Sequence, residues 1–103
     1  MSAFATETSS NWSFLGHSVH SLSTNQKDSS LAEAKSNPAV LLIHGFGAST
    51  DHWRFNIPVI SKSHEVHAID LLGFGRSSKP GGLKYGGPLW CDQVVAYVQQ
   101  QIR

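Results

Sequence analysis

Aromatic and aliphatic residues come close to alternation around a glycine in the stretch Trp12–Leu22, WSFLGHSVHSL. That pattern predicts two short antiparallel strands with a turn at Gly16-His17. Residues 1–11 are small and polar and are expected to form a flexible N-terminus, with one domain over 12–103. Ser23–Asn37 is polar and reads as a loop; its LAEAK segment is too short to assign as a helix. Pro38 then opens Ala39–Ile43, AVLLI, a continuous apolar run bounded by turn residues. A strand buried on both faces of a parallel sheet has this pattern.

Thr50 and Asp51 follow as N-cap and first-turn acid. Pro58 would break a long helix, and Asn56 can restart one as a second N-cap, so 51–62 is expected as two short helical pieces. Glu65–Asp70, EVHAID, is a second strand ending in an acid, and Leu71–Gly87 is a glycine-rich loop. After Pro88, the residues Trp90, Val94, Val98 and Ile102 recur in steps of four with Cys91 and Val95 beside them. They predict an apolar face on a helix over 88–103, with Cys91 as a small buried hydrophobe. A hairpin followed by β-α-β-α is the beginning of an α/β fold, because a strand, a crossover helix and a parallel strand close right-handed in one sheet.

Composition narrows the function without naming it. The chain has 103 residues, 40% of them hydrophobic and 15% charged, with a formal charge of +1. That is enough for one small globular core, and no basic stripe points to a nucleic-acid partner. The N-terminus lacks the charged and apolar regions of a signal peptide, and no apolar run approaches a membrane span. Cys91 is the single cysteine. A cytoplasmic location is therefore expected, with the chloroplast as the alternative for a plant or alga. The pairs His17/His20 and His64/His67 are each spaced by three, which puts the members on opposite faces of a strand, so no metal is expected.

The chemistry-bearing stretch is LLIHGFGAST, residues 41–50. Ligands in open α/β sheets bind beyond the carboxyl ends of the strands, where His44-Gly45-Phe46-Gly47 falls. Glycines let the backbone turn tightly there, and free N–H groups near a helix start favour negative charge. Two uses fit. One is a phosphate cradle, since Gly45–Thr50 approximates the dinucleotide fingerprint and Asp70 follows about 20 residues on, where a ribose-binding acid sits. Against it, Thr50 replaces the third glycine, and Gly73–Ser77 has no role in that scheme. The other use is an oxyanion hole.

VLLIHGFGASTDHW followed by IDLLGFGRSSKP closely resembles the N-terminal third of α/β-hydrolases. The nearest group is that of the esterase, haloperoxidase and epoxide-hydrolase-like enzymes, including forms common in cyanobacteria and chloroplasts. The resemblance covers residues 12–103 and implies the N-terminal part of an α/β-hydrolase sheet, incomplete. It implies that the Phe46 N–H is one oxyanion-hole donor and that Gly45 and Gly47 shape the turn. His44 would hold the loop by hydrogen bonds, and the Phe46 ring would face the substrate pocket or its rim. Asp70, Gly73, Gly75 and Ser77 fall in the family's supporting loop, to which no chemistry is assigned. Trp53 is expected to pack or to support the turn, and Arg76 to pair with Asp70 or stand in solvent. No cofactor is implied, and the partner is a small-molecule substrate, esters first.

The family's chemistry also needs a nucleophile on G-x-S-x-G, an acid and a histidine in that chain order. Ser49 reads GASTD and Ser77 reads GRSSK, so neither is such an elbow. No catalytic triad is therefore assigned within these residues, and this chain alone is expected to be inactive. An unpaired edge of the Ala39–Ile43 strand would favour a molten, self-associating or partner-dependent chain. The other readings are a degenerate or partner-binding product without activity, and a nucleotide-binding βαβ unit.

Overall fold

A computed structural model describes residues 6–25 and 36–102. Its sheet has the strands β1 (Thr6–Phe14), β2 (His17–Asn25), β3 (Val40–Ile43) and β4 (Val66–Ile69), in the spatial order β1-β2-β4-β3. β1 and β2 form an antiparallel hairpin, β2 runs antiparallel to β4, and β3 runs parallel to β4 with Val40 opposite Val66 and Ile43 opposite Ile69. Between β3 and β4 lie a 3₁₀ turn (Thr50–Trp53) and the short helix α1 (Ile57–Ile60). The helix α2 (Gly87–Tyr97) follows the long loop and passes into a π-helical turn, Val98–Ile102.

The hairpin departs from the sequence reading in two ways. β1 begins at Thr6, so residues 6–11, expected as part of a flexible terminus, are strand. These serines and threonines carry almost no apolar signal; they are held by the ladder from Thr6↔Asn25 to Phe14↔His17. The turn is Leu15-Gly16 rather than Gly16-His17, with φ of +53° and +79°. Positive φ at both central positions is the type I′ geometry whose twist matches a two-residue hairpin. The LAEAK segment lies outside the described residues.

The most buried strand is β4, not β3. All four residues of β4 are buried, whereas Val40, Leu41 and Leu42 are half-buried and Ile43 is 43% exposed. The reason is position: β4 has strands on both sides, and β3 has one on a single side among the described residues. Period-2 alternation splits β4 between two cores. Val66 and Ala68 join Ile57, with Leu42, Trp53 and Ile60 packed against them. Ile69 faces the other way and joins Leu71 and Tyr97, with Leu41, Trp90 and Val94 packed against them. Trp53 thus serves the core under α1.

Local capping also differs from expectation. Ser49, not Thr50, caps the 3₁₀ turn, its Oγ accepting from the Asp51 N–H at 3.2 Å. Asn56 stands at the N-cap of α1 without a side-chain capping bond. On α2 Gln93 and Tyr97 are buried and Trp90 and Val94 half-buried, and Ile102 beyond it also packs on the core; Cys91 and Val95, and Val98 in the π-helical turn, are exposed. Of the expected face, Trp90, Val94 and Ile102 do meet the core and Val98 does not; steps of four overshoot the 3.6-residue turn, whereas Trp90, Gln93 and Tyr97, three and four apart, stay on one face. That brings Gln93 to the core and turns Cys91 out. No helix among the described residues is long and apolar enough to cross a membrane.

Candidate active site

β3 ends at Ile43, and His44 begins the turn. The His44 ring is 4% exposed and spans two backbones. The Leu71 N–H donates to its Nε2 at 3.0 Å, which leaves the proton on Nδ1; Nδ1–H donates to the Gly45 carbonyl at 2.7 Å. The Ala48 N–H donates to the same carbonyl at 3.1 Å. The Gly45 C=O and the Phe46 N–H belong to one planar trans peptide and point in opposite directions. Fixing the carbonyl inward therefore aims the Phe46 N–H outward, and among the described residues that N–H has no hydrogen-bond partner. Gly47, at φ +80°, closes the turn in a conformation that side chains disfavour. The Phe46 side chain is 90% exposed and meets Phe74 edge to face at 5.3 Å between centroids.

The supporting loop is wired to every neighbouring element. Asp70 is fully buried, and its carboxylate accepts three bonds: from Thr50 N–H at 2.7 Å, from His20 Nδ1 at 2.8 Å and from Arg76 N–H at 3.2 Å. Its main-chain carbonyl accepts from Ser77 Oγ and from Gln93 Nε2. The Leu72 N–H donates to Gln93 Oε1 at 2.8 Å, and Trp90 Nε1–H donates to the Leu72 carbonyl at 3.0 Å. Gly75, at φ +56°, passes so close to the Asp70 carboxylate that a Cβ there would stand 2.5 Å from its Cγ. Gly73 is similarly closed, 3.1 Å from the Tyr85 ring by the same measure.

The Arg76 guanidinium lies 3.8 Å from Asp51, with both side chains largely exposed; it is the Arg76 backbone, not the side chain, that reaches Asp70. Asp70 has no exposed surface, so it cannot offer a carboxylate to a ribose hydroxyl, which removes the geometry that the nucleotide-binding reading requires. Two residues central to this wiring, His20 and Gln93, carry no sequence signal for it, because their partners lie 50 and 21–23 positions away.

One arrangement has the connectivity of a nucleophile, base and orienting acid: the Ser9 hydroxyl lies 2.6 Å from His20 Nε2, and His20 Nδ1 lies 2.8 Å from Asp70. Ser9 stands in a β ladder, whose N–H groups lie in the plane of the sheet while its side chains leave that plane. Convergent N–H donors around an attacked carbonyl do not arise from such a ladder. The relay ties the hairpin to the loop. On the far side of β4, His67 bridges Tyr97 Oη at 2.8 Å and Glu65 at 2.7 Å. Burial raises the Tyr97 pKa above 10.0; the Glu65 charge adds to the rise, and a hydrogen bond with Ser21 opposes it. Among the described residues, no three of His, Cys, Asp and Glu come together as a metal site would need.

A parallel strand pair whose β4 is fully buried, a glycine turn at the carboxyl end of β3 and a hydrogen-bonded loop after β4 define an incomplete α/β-hydrolase sheet. The family model for the alpha/beta hydrolase fold matches residues 38–103, and the chain belongs to that family. It is 37% identical over 70 residues to bifunctional epoxide hydrolase 2 of Rattus norvegicus, covering 66% of this chain and 13% of that protein. It is 33% identical over 64 residues to pimeloyl-[acyl-carrier protein] methyl ester esterase of Aeromonas hydrophila subsp. hydrophila, covering 62% of this chain and 25% of the esterase. Among solved structures, a membrane phospholipase A described as a bacterial virulence factor superposes with a TM-score of 0.74 at 30% identity, over 94% of this chain and 28% of that one. A loop variant of a haloalkane dehalogenase from Bradyrhizobium elkanii gives a TM-score of 0.76 at 25% identity, over 93% and 29%. The chain thus spans a quarter or less of the length of the two curated relatives.

Proposed function

We propose that the HGFG turn is one half of an oxyanion hole, with the Phe46 N–H as donor, His44 as the positioning residue and Gly45 and Gly47 shaping the backbone. The whole enzyme would be a hydrolase of esters or similar small substrates, using a Ser- or Asp-based nucleophile with a histidine. The observation that carries this reading is the outward, unpartnered Phe46 N–H at the carboxyl end of β3, set by two hydrogen bonds to the carbonyl of its own peptide. A donor fixed before the substrate arrives needs no reorganisation as charge develops on the carbonyl oxygen. The relatives' names support hydrolysis in general and differ over the bond cleaved, so the substrate stays at the level of class.

Acetate titrated into the ¹⁵N-labelled chain is expected to move the Phe46 amide resonance, and a His44→Phe variant to lose that response. An unmoved Phe46 resonance overturns the donor assignment. With no elbow serine in these residues, the chain alone is expected to hydrolyse p-nitrophenyl acetate no faster than its Phe46→Pro variant; a clearly faster rate refutes that. The outer edge of β3, with Ile43 43% exposed, favours strand-to-strand self-association. A monomeric sedimentation profile with slow amide exchange over 40–43 counts against it.

A further inference from the structure

Beside the turn lies a cleft of about 340 Å³ whose walls include Phe46, Phe74, Tyr85 and Trp90. Its size is at the lower end of small-molecule sites. Three of the rings are held in place. Trp90 is anchored by its indole N–H on the Leu72 carbonyl, and Tyr85 by its hydroxyl on the Pro80 carbonyl. Phe74 is gripped between His44 at 5.5 Å and Trp90 at 5.7 Å between centroids. Gly73 has no side chain to fill the floor, so the Tyr85 ring lies against bare backbone. Lys79 also borders the cleft, but its ammonium donates to the Gly75 carbonyl at 2.6 Å and the Ser77 carbonyl at 3.2 Å. Its charge is occupied by these carbonyls, and the methylene stem is the part left to line the wall.

The rings are tilted to one another: Phe46–Phe74 at 76°, Phe74–Trp90 at 45° and Tyr85–Trp90 at 37°. A flat aromatic guest can meet such walls edge to face and by offset stacking at the same time, which a flexible alkyl chain cannot. Phe46 joins this cleft to the turn, since its ring forms one wall and its backbone N–H is the donor proposed above. Phe46 is therefore the one residue of the turn that also walls the cleft.

We propose that this cleft is an aryl subsite that takes the aromatic acyl group of an ester substrate. The ester orientation rests on the oxyanion reading; the affinity for a flat ring does not, and the test separates the two. The ¹⁵N-labelled chain is titrated in turn with methyl 2-naphthoate, 2-methylnaphthalene and methyl hexanoate. Both naphthalenes are expected to shift the Trp90 indole N–H and the Gly73 and Phe74 amides saturably. Methyl hexanoate is expected to bind at least about tenfold more weakly. Phe46→Ala, which keeps the backbone N–H and alters an exposed ring, is expected to weaken naphthalene binding about three- to tenfold, and Tyr85→Leu similarly. Absence of saturable shifts with either naphthalene, or equal binding of methyl hexanoate, overturns the subsite. A Phe46 amide shifted by methyl 2-naphthoate and not by 2-methylnaphthalene supports the orientation as well. Equal Phe46 shifts with both leave the subsite standing and count against the oxyanion donor.

Discussion

Replacing Gly75 by alanine sets two separable costs against each other. Gly75 and Gly47 both have positive φ, +56° and +80°, so alanine at either pays for a left-handed backbone, about 1–2 kcal/mol. At Gly47 an added Cβ meets nothing within 4 Å. At Gly75 it stands 2.5 Å from Asp70 Cγ and 2.7 Å from Oδ2. Ordinary contact begins about 1 Å further out, so the carboxylate must retreat by that much. Its bonds of 2.7, 2.8 and 3.2 Å to Thr50, His20 and Arg76 cannot all survive such a move. Leaving two buried partners unpaired costs about 1–3 kcal/mol each. Gly75→Ala should therefore lose about 3–8 kcal/mol, a large part of the ~5–15 kcal/mol that a domain has, and Gly47→Ala about 1–2 kcal/mol. Urea unfolding followed by tryptophan fluorescence measures both, at unchanged m-value. Destabilisation of the two variants to within about 0.5 kcal/mol would refute the claim that Gly75 exists to clear the carboxylate.

Two further predictions follow from the hairpin and from the far side of β4. Leu15 occupies a left-handed position at φ +53° and is 63% exposed, so Leu15→Asn, which suits a type I′ turn, should stabilise by about 0.5–1 kcal/mol in the same unfolding assay. Tyr97 has its pKa raised in the folded state, so the stability it contributes is complete below its unfolded value of 10.0 and is lost as pH rises through the higher folded value. Tyr97→Phe should flatten that alkaline loss in a pH series of midpoints. Near neutral pH it should cost about 1–2 kcal/mol by leaving His67 Nδ1 unpaired.

Local signals made the core of the fold legible. AVLLI and VHAI announce β3 and β4, the glycines and Pro88 announce the breaks, and HGFG with GFGRS marks the turn and the loop. What escaped depends on partners far along the chain. Thr6–Asn11 becomes strand because β2 lies beside it, not because its serines prefer one. Gln93 is a polar residue on a helix face that the apolar pattern assigns to Trp90, Val94, Val98 and Ile102. It is buried because the Leu72 N–H and the Asp70 carbonyl, about two dozen positions back, both need a partner. The burial expected of β3 went to β4 for the same kind of reason, since strand order decides which run has neighbours on both sides. The His44 ring bonds the Leu71 N–H and the Gly45 carbonyl, and the proposed positioning role rests on those two bonds, which no local signal in HGFG announces.

The loop after β4 also bears on the order of events in folding. Its Asp70 and Leu71 are pinned from positions 20 and 44, and Leu72 from positions 90 and 93. The full set is complete only when the hairpin, the parallel strand pair and α2 have all reached the loop, and each such closure carries a loop entropy cost. The outward-facing amide at Phe46 should therefore be among the last features to acquire its native geometry, because the His44 ring that orients it is itself held by the Leu71 N–H. Mutations in the Ser9–His20 hairpin, far along the chain from the turn, should then slow its maturation.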